Sequence, residues 1–169
     1  SINYLPLLVY RCKKIKMREE EKEKRVKHAV ELFEKGFNCS QSVFAAFCDR
    51  YGYTEEQGLI LSASFGGGIG RMRETCGAAC GLFMIASLET GSSKPGDREG
   101  KARNYKVVQE LAQLFIAKNG ALRCADLLGI EKPNMGDTNP EKRTSAYYKK
   151  RPCKKIVEDA ARIVADTFE

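Results

Sequence analysis

Apolar residues recur along this chain at intervals of three and four positions, which is the spacing of one face of a helix. The first such run covers residues 20–35. Asn38 and Gln41 form a capping-box sequence, which predicts the start of a second helix. Thr54 and Gln57 repeat that sequence and predict a third helix. The first part of the chain is therefore predicted to form three consecutive helices.

Four more helices are predicted in the rest of the chain. Residues 76–90 are apolar almost all round, which is typical of a buried central helix, and Thr75 is the expected N-cap. Amphipathic runs follow over 98–118 and 121–129, and Pro152 favours the start of a last helix. No run alternates in the manner of a strand. We predict an all-α, single-domain bundle of about six to seven helices around a central helix that carries cysteines and glycines.

The domain boundary and the cellular location are predicted from the hydropathy of the first residues. We expect residues 1–16 to be an N-terminal extension, either upstream of a natural start at Met17 or a remnant of expression. Residues 17–169 are then one helical domain. The apolar residues 2–10 precede a basic cluster, whereas a secretory signal has the reverse order. No uncharged run is long enough to span a bilayer, so we expect a cytoplasmic protein.

The net charge of +7 is concentrated in one segment. Residues 141–155 hold seven basic residues and one acidic residue, so they contribute +6. A solvated loop beside a helix start is the favoured interpretation, and a surface for nucleic acid or an acidic partner is the alternative. The one histidine, His28, lies in a charged helical run, and we expect it to be neither a ligand nor a base.

Seven cysteines carry the candidate chemistry. Without a secretory signal, they indicate catalytic, metal-binding or buried thiols rather than a disulfide framework. Cys39, Cys76 and Cys153 are each predicted in the first turn of a helix and on its inward face, and Cys124 is a fourth inward-facing cysteine. Helix N-termini gathered around one point would concentrate positive potential, which favours thiolates. These cysteines are therefore the candidate site.

The segment FGGGIGRMRETCGAACG, residues 65–81, is the stretch around which the chain is organised. Its first glycines permit a tight turn and a close approach to a neighbouring group. Arg71 and Arg73 precede Cys76, and their charge together with a helix N-terminus predicts a low pKa for that thiol. Cys80 follows one turn later on the same face. The candidates for contact with a cofactor or an anion are Gly66, Gly67, Gly68, Gly70 and Arg71.

Four pieces of the chain carry a resemblance to a known family. They are GFNCSQSVF at 36–44, the glycine-rich segment at 65–81, NGALRCADLLG at 119–129, and Cys153 at the start of the final helix. From about Met17 onward, the chain resembles the C_GCAxxG_C_C family of redox-active proteins. The resemblance implies redox activity, and it implies that the family's four cysteines correspond to Cys39, Cys76, Cys124 and Cys153. The cysteines outside that set are Cys12, Cys48 and Cys80.

Thiol–disulfide chemistry is the leading functional hypothesis. In it, Cys76 attacks a disulfide or an oxidant, and a second cysteine resolves the mixed intermediate. Cys80, Cys39 and Cys153 are the candidate resolving residues. The partner would be a redox protein or a small thiol or disulfide, and no cofactor is needed. The sequence leaves the oligomeric state open, a homo-oligomer included.

Two further hypotheses compete with thiol chemistry. A metal or iron–sulfur centre would use Cys39, Cys76, Cys124 and Cys153 as ligands for Zn²⁺ or a cluster, although their spacing matches no ferredoxin or zinc-finger pattern. Alternatively, a binding module would hold an anion with Arg71 and Arg73, or nucleic acid with the basic segment. No recognition motif supports nucleic acid, which we do not expect as a partner.

Overall fold

The computed structural model describes residues 16–168, and this part of the chain is largely helical. Its only extended pairing is a single antiparallel bridge between Thr75 and Arg123. The eight α-helices of the described residues are α1 Glu19–Glu34, α2 Cys39–Ala45, α3 Glu55–Ser62, α4 Gly77–Thr90, α5 Arg98–Asn119, α6 Cys124–Leu128, α7 Ser145–Lys150 and α8 Cys153–Thr167. The prediction of an all-α fold is confirmed. The added helix, α7, lies in a segment that the sequence pattern predicts as a connection.

α4 is the central helix, as its uniformly apolar sequence predicts. It packs against α2, α5 and α8, and most of its residues are buried. Small residues in its first turns allow a close approach of α2, because a Cβ on Gly81 would lie 2.9 Å from the carbonyl oxygen of Ser40. α1 packs against α8 on the far side of the bundle. The apolar surface buried around α4 stabilises the fold by roughly 25 cal/mol per Å².

Both predicted capping boxes form. The Asn38 side chain accepts a hydrogen bond from the Gln41 amide at 3.0 Å, and the Gln41 side chain accepts one from the Asn38 amide at 3.0 Å. Thr54 and Gln57 repeat this pair at the start of α3. These reciprocal bonds satisfy amides that a helix start leaves without partners. The starts of α2 and α3 are therefore fixed by local sequence.

The predicted start of α4 is corrected by one residue. Cys76, not Thr75, is the N-cap, and no side chain caps this helix. Thr75 instead pairs with Arg123, and this pairing is extended by hydrogen bonds from the Cys76 amide to Leu122 O and from the Cys124 amide to Glu74 O. The contact joins the start of α4 to the start of α6. A long-range pairing has overridden a favourable local cap.

α5 buries only part of the apolar face that its amphipathic sequence predicts. Leu111 and Phe115 are buried, whereas Tyr105 is 62% exposed. α5 has 22 residues and α4, which it packs against, has 14. At about 1.5 Å per residue, α5 is therefore roughly 12 Å longer than its neighbour. α4 therefore cannot cover the whole length of α5, and Tyr105 is left in solvent.

The prediction of an N-terminal extension and Cys12 fall on residues 1–15, which lie outside the described part of the chain. The single domain over 17–169 stays a prediction. None of the helices within 16–168 combines the length and the apolar character needed to cross a bilayer.

Candidate active site lined by four cysteines

A cavity of about 340 Å³ lies where four helices begin, and four cysteines line it. Cys39, Cys124 and Cys153 are the first residues of α2, α6 and α8, and Cys76 is the N-cap of α4. The structure thus brings together the four cysteines that the sequence singles out. Gly66, Gly67, Gly70 and Arg71 line the same cavity.

Cys39 and Cys76 lie close enough in the cavity for each side chain to change the pKa of the other. The capping box of α2 fixes the backbone at Cys39, and the α4 backbone approaches the sulfur closely at Gly77. A Cβ on Gly77 would lie 2.5 Å from Cys39 Sγ and 2.7 Å from the carbonyl oxygen of Phe65. Only glycine leaves room for the sulfur at this point. Two helix starts therefore hold the two thiols close to each other.

The two thiols have shifted pKa values, and the shifts are in opposite directions. Because the Cys76 thiol donates a hydrogen bond to it, the pKa of Cys39 is lowered to about 6, even though burial opposes ionisation. Backbone amides of Gly67 and Ser40 also donate to the Cys39 sulfur. The pKa of Cys76 is raised well above the ordinary thiol value, chiefly because this thiol keeps its proton to donate to Cys39. The direction of the two shifts thus favours Cys39 over Cys76 as the thiolate of the pair.

The two arginines of the glycine-rich segment do not serve Cys76 as predicted. Arg73 is buried, and its Nη1 donates to Cys124 Sγ at 3.8 Å. Arg71 pairs with Asp137, with 2.5 Å between Nη1 and Oδ2. Burial raises the pKa of Cys124, and the neighbouring Arg73 opposes that rise. Both guanidinium groups still face the cavity.

Three further cysteines of the described residues, Cys48, Cys80 and Cys153, have raised pKa values. Burial raises the pKa of Cys153 to about 11, and it does the same for Cys80 and Cys48. Cys80 Sγ lies 3.8 Å from the carbonyl oxygen of Thr75 and does not line the cavity. Cys48 is fully buried in the core, where its sulfur meets backbone carbonyls. Cys80, one of the predicted resolving residues, therefore lies apart from the four cavity cysteines.

The glycine loop, residues 66–75, forms one wall of the cavity by a sequence of left-handed residues. Positive φ angles run without interruption from Gly67 (65°) through Ile69 (63°) to Arg71 (64°), and Arg73 has a φ of 63°. Such angles strain residues that carry a Cβ, and a β-branched residue most of all. A Cβ on Gly68 would lie 2.6 Å from the Cβ of Cys124. The loop thus needs glycine both for its turn and for contact with α6.

The cavity is also lined by residues of the basic segment 141–155, which the sequence predicts to be a solvated loop. Arg143 donates to the carbonyl oxygens of Phe33 and Phe37, and its guanidinium lies 4.4 Å from the centre of the Phe33 ring. Arg151 pairs with Glu141. All but Phe37 line the cavity. The two adjacent tyrosines at 147–148 could have indicated that this segment packs against the protein, because aromatic rings beside arginines favour packed contacts.

The hypothesis of a metal centre depends on how the possible ligand side chains are arranged. Within residues 16–168, no group of three or more histidine, cysteine, aspartate or glutamate side chains is arranged to hold a metal ion. The cysteines face one cavity without converging on one point in the manner of a four-thiolate centre. His28 instead contacts Glu55, with 2.6 Å between Nε2 and Oε2. Cys39, Cys76, Cys124 and Cys153, which the metal hypothesis would use as ligands, all line the cavity.

The fold and the site define an all-α thiol protein whose cysteines face one cavity. The chain belongs to the C_GCAxxG_C_C family, described as "Putative redox-active protein", which it matches over residues 37–167. It is also similar to a protein of Archaeoglobus fulgidus described as uncharacterized, with 28% identity over 159 residues that cover 89% of this chain and 97% of the relative. No solved structure shows a significant match. The resemblance stated from the motifs is therefore confirmed.

Proposed function

We propose that this protein is a thiol–disulfide oxidoreductase in which Cys39 is the nucleophile and Cys76 is the resolving cysteine. One observation carries the proposal: Cys39 and Cys76 line the same cavity, and their interaction lowers the pKa of Cys39 to about 6. At neutral pH, Cys39 is then mostly thiolate, which is the reactive form of a thiol. The roles of Cys39 and Cys76 are the reverse of those that the sequence predicts.

The first step forms a mixed disulfide. The Cys39 thiolate attacks one sulfur of a disulfide, a new S–S bond forms, and the other sulfur leaves as a thiolate that takes a proton from water. In the second step, Cys76 loses its proton and attacks the Cys39 sulfur, which expels the second thiol. The protein ends with a Cys39–Cys76 disulfide, and the substrate has gained two electrons and two protons. A dithiol reductant restores the starting state.

The interaction between the two sulfurs also sets the order of these steps. The pKa of Cys76 is raised because its thiol donates to Cys39 and because the Cys39 charge repels a second one. Both effects vanish once Cys39 is held in a mixed disulfide. The amides of Ala78 and Ala79, which favour the Cys76 thiolate, are then opposed by burial alone. Cys76 therefore becomes a nucleophile only after Cys39 has reacted.

Cys124 and Cys153 are assigned a secondary role. Both line the cavity, and burial raises the pKa of each thiol. Neither is therefore the first nucleophile. Because both line the same cavity, a disulfide between Cys39 and Cys76 can be passed to them by thiol–disulfide exchange. Cys80 is not assigned to the reaction. We further propose a cytoplasmic location, since a thiol couple that must be reduced after each turnover suits a reducing compartment.

The test uses single cysteine variants and 2,2′-dithiodipyridine, an uncharged disulfide whose released thiopyridone is measured by absorbance. Wild type should release two thiopyridones per chain in a fast phase and form a Cys39–Cys76 disulfide. Cys76→Ser should release one in the fast phase and retain the mixed disulfide, because the raised pKa of Cys124 and Cys153 makes their exchange slower. Cys39→Ser should lose the fast phase.

Cys48→Ser is the matched control, because that sulfur is buried away from the cavity. It should keep the fast phase and differ from wild type mainly in stability. Peptide mass spectrometry assigns the modified sulfur in each case. A fast phase that survives Cys39→Ser, or one that disappears equally in Cys48→Ser, would rule out the proposed nucleophile.

A further inference from the structure

Four arginine side chains face the cavity that contains the cysteines. Two of them are neutralised by carboxylates, since Arg71 pairs with Asp137 and Arg151 pairs with Glu141. Glu141 is the single acidic residue among those that line the cavity. The remaining charge of the cavity wall therefore depends on the other two arginines.

Arg73 and Arg143 have no carboxylate within ion-pair distance among the described residues. Arg73 is only 8% exposed, and its hydrogen-bond partner is the Cys124 sulfur at 3.8 Å. Arg143 is held by backbone carbonyls and aromatic rings, which carry no charge. Arg73 is the buried one of these two cations, and the Asp137 carboxylate, which is paired with Arg71, is also within its electrostatic reach. The thiolate of Cys39 supplies one negative charge, so at least one guanidinium is left to meet an anion.

The dimensions of the cavity favour a small molecule over a protein. At about 340 Å³, it lies near the lower end of the range of small-ligand sites. Cys76 and Cys124 are 6% and 7% exposed, and Cys39 is half-buried. A disulfide on the surface of a folded protein would have to enter this space with its flanking backbone. A short, flexible molecule fits this space more readily, and the apolar residues Phe33 and Ile156 line the cavity together with Cys39.

We propose that the substrate is a small disulfide whose halves carry carboxylate groups, held by Arg73 and Arg143 while Cys39 attacks its S–S bond. This inference rests on the proposed thiol–disulfide exchange. Guanidinium groups bind carboxylates through two parallel hydrogen bonds, which orients the substrate as well as attracting it. The reaction consumes one disulfide and the Cys39–Cys76 dithiol. It yields two thiols that each carry a carboxylate group, together with the protein disulfide.

The test compares three disulfides of similar size and different charge with the full chain in its reduced form. They are 3,3′-dithiodipropionate with two carboxylates, bis(2-hydroxyethyl) disulfide with none, and cystamine with two ammonium groups. Each rate of exchange is divided by the rate of the same disulfide with a free small thiol, which removes intrinsic differences in reactivity. We expect the dianion to react about tenfold faster than the neutral probe and the dication to react slowest. The preference should shrink as the salt concentration rises.

Arginine variants locate the source of the preference. Arg73→Gln and Arg143→Gln should each lower the ratio of the dianion rate to the neutral rate, and Arg143→Lys should restore much of it by keeping the charge. Arg103→Gln, an exposed residue of α5 outside the cavity, is the matched control and should keep the wild-type ratio. Thermal unfolding shows whether each variant is folded. The comparison of the three disulfides with the wild-type protein remains a test even if one variant does not fold.

The outcomes separate the two proposals. Equal corrected rates for the three probes, or a dication that reacts fastest, would overturn the substrate assignment and leave the exchange reaction intact. A disulfide-bonded protein that reacts faster than every small probe would also overturn it. Failure of the reduced protein to exchange with any disulfide would refute the proposed function itself.

Discussion

At the scale of single residues, the site depends on how two sulfurs share protons. Cys39 and Cys76 both lie at helix starts, so the helix dipole alone favours neither as the thiolate. The hydrogen bond from Cys76 and the amides of Gly67 and Ser40 favour ionisation of Cys39. In the proposed mechanism, the identity of the nucleophile therefore depends on an interaction between residues far apart in the chain.

A pH dependence follows from that interaction. Since the pKa of Cys39 is lowered to about 6, its rate of alkylation by iodoacetamide should rise as pH increases through about 6 and level off near neutrality. Cys76→Ala removes the donated hydrogen bond, so the pKa should rise and the midpoint should move to higher pH. The rate at Cys39 is measured by peptide mass spectrometry after timed alkylation.

Cys48→Ala is the control for this titration, because it removes a buried thiol that is not a hydrogen-bond partner of Cys39. Its midpoint should equal that of wild type. A midpoint in the ordinary thiol range for wild type, or no shift in Cys76→Ala, would contradict the assignment of the thiolate to Cys39.

The residue-scale predictions from sequence succeeded in part, for a physical reason. Helix starts follow from local capping and apolar spacing, so the placement of the cysteines at helix N-termini could be predicted. The direction of a side chain within a folded loop is not local. Arg71 and Arg73 precede Cys76 in sequence, yet they contact Asp137 and Cys124 instead.

At the scale of elements, the glycine loop is the feature that shapes the cavity. Its left-handed residues are held by hydrogen bonds within the loop, such as those from the Arg71 amide to Gly66 O and from the Arg73 amide to Gly67 O. The amide of Ala125 in α6 donates in turn to Arg73 O. Strained residues persist where surrounding contacts over-determine them. The loop therefore supplies a rigid wall.

Gly70→Ala tests this strain without creating a clash. Gly70 has a φ of 55°, and a Cβ there would meet nothing within 4 Å, so the cost is conformational alone. We expect the free energy of unfolding to fall by about 1–2 kcal/mol, measured by urea or thermal unfolding.

Gly96→Ala is the matched control for Gly70→Ala. Its Cβ would also meet nothing within 4 Å, but its φ is not positive. It should leave stability unchanged or raise it by up to about 1 kcal/mol through the unfolded state. Equal effects at the two positions would show that Gly70 is not held in a left-handed conformation.

Element boundaries show where sequence patterns suffice and where they do not. The capping boxes at Asn38 and Thr54 were predicted because every bond in them lies within four residues. The start of α4 was misplaced because Thr75 pairs with Arg123, which no local pattern reveals. α7 was not predicted as a helix because its short basic sequence is stabilised by contacts of Tyr148 with Phe33 and Glu34.

At the scale of the whole molecule, the cavity is assembled from segments that are far apart in the chain. α1 contributes Phe33, the glycine loop and α6 form one wall, and the connection before α8 forms the other. That connection, residues 130–151, has the length typical of a binding loop, and four of its lining residues are Thr138, Pro140, Glu141 and Arg143. The all-α class and the grouping of four cysteines followed from sequence. The shape and the charge of the cavity did not, because they depend on this connection folding back onto α1.

The central claim is that Cys39 and Cys76 form one redox couple, and one measurement tests it most directly. The full chain is equilibrated in glutathione buffers of graded potential, the free thiols are trapped by alkylation, and the peptides are mapped by mass spectrometry. We predict that the first disulfide to appear links the peptides of Cys39 and Cys76, with two thiols lost per chain. A first disulfide between other cysteines or between chains, with Cys39 and Cys76 both still alkylated, would contradict the account.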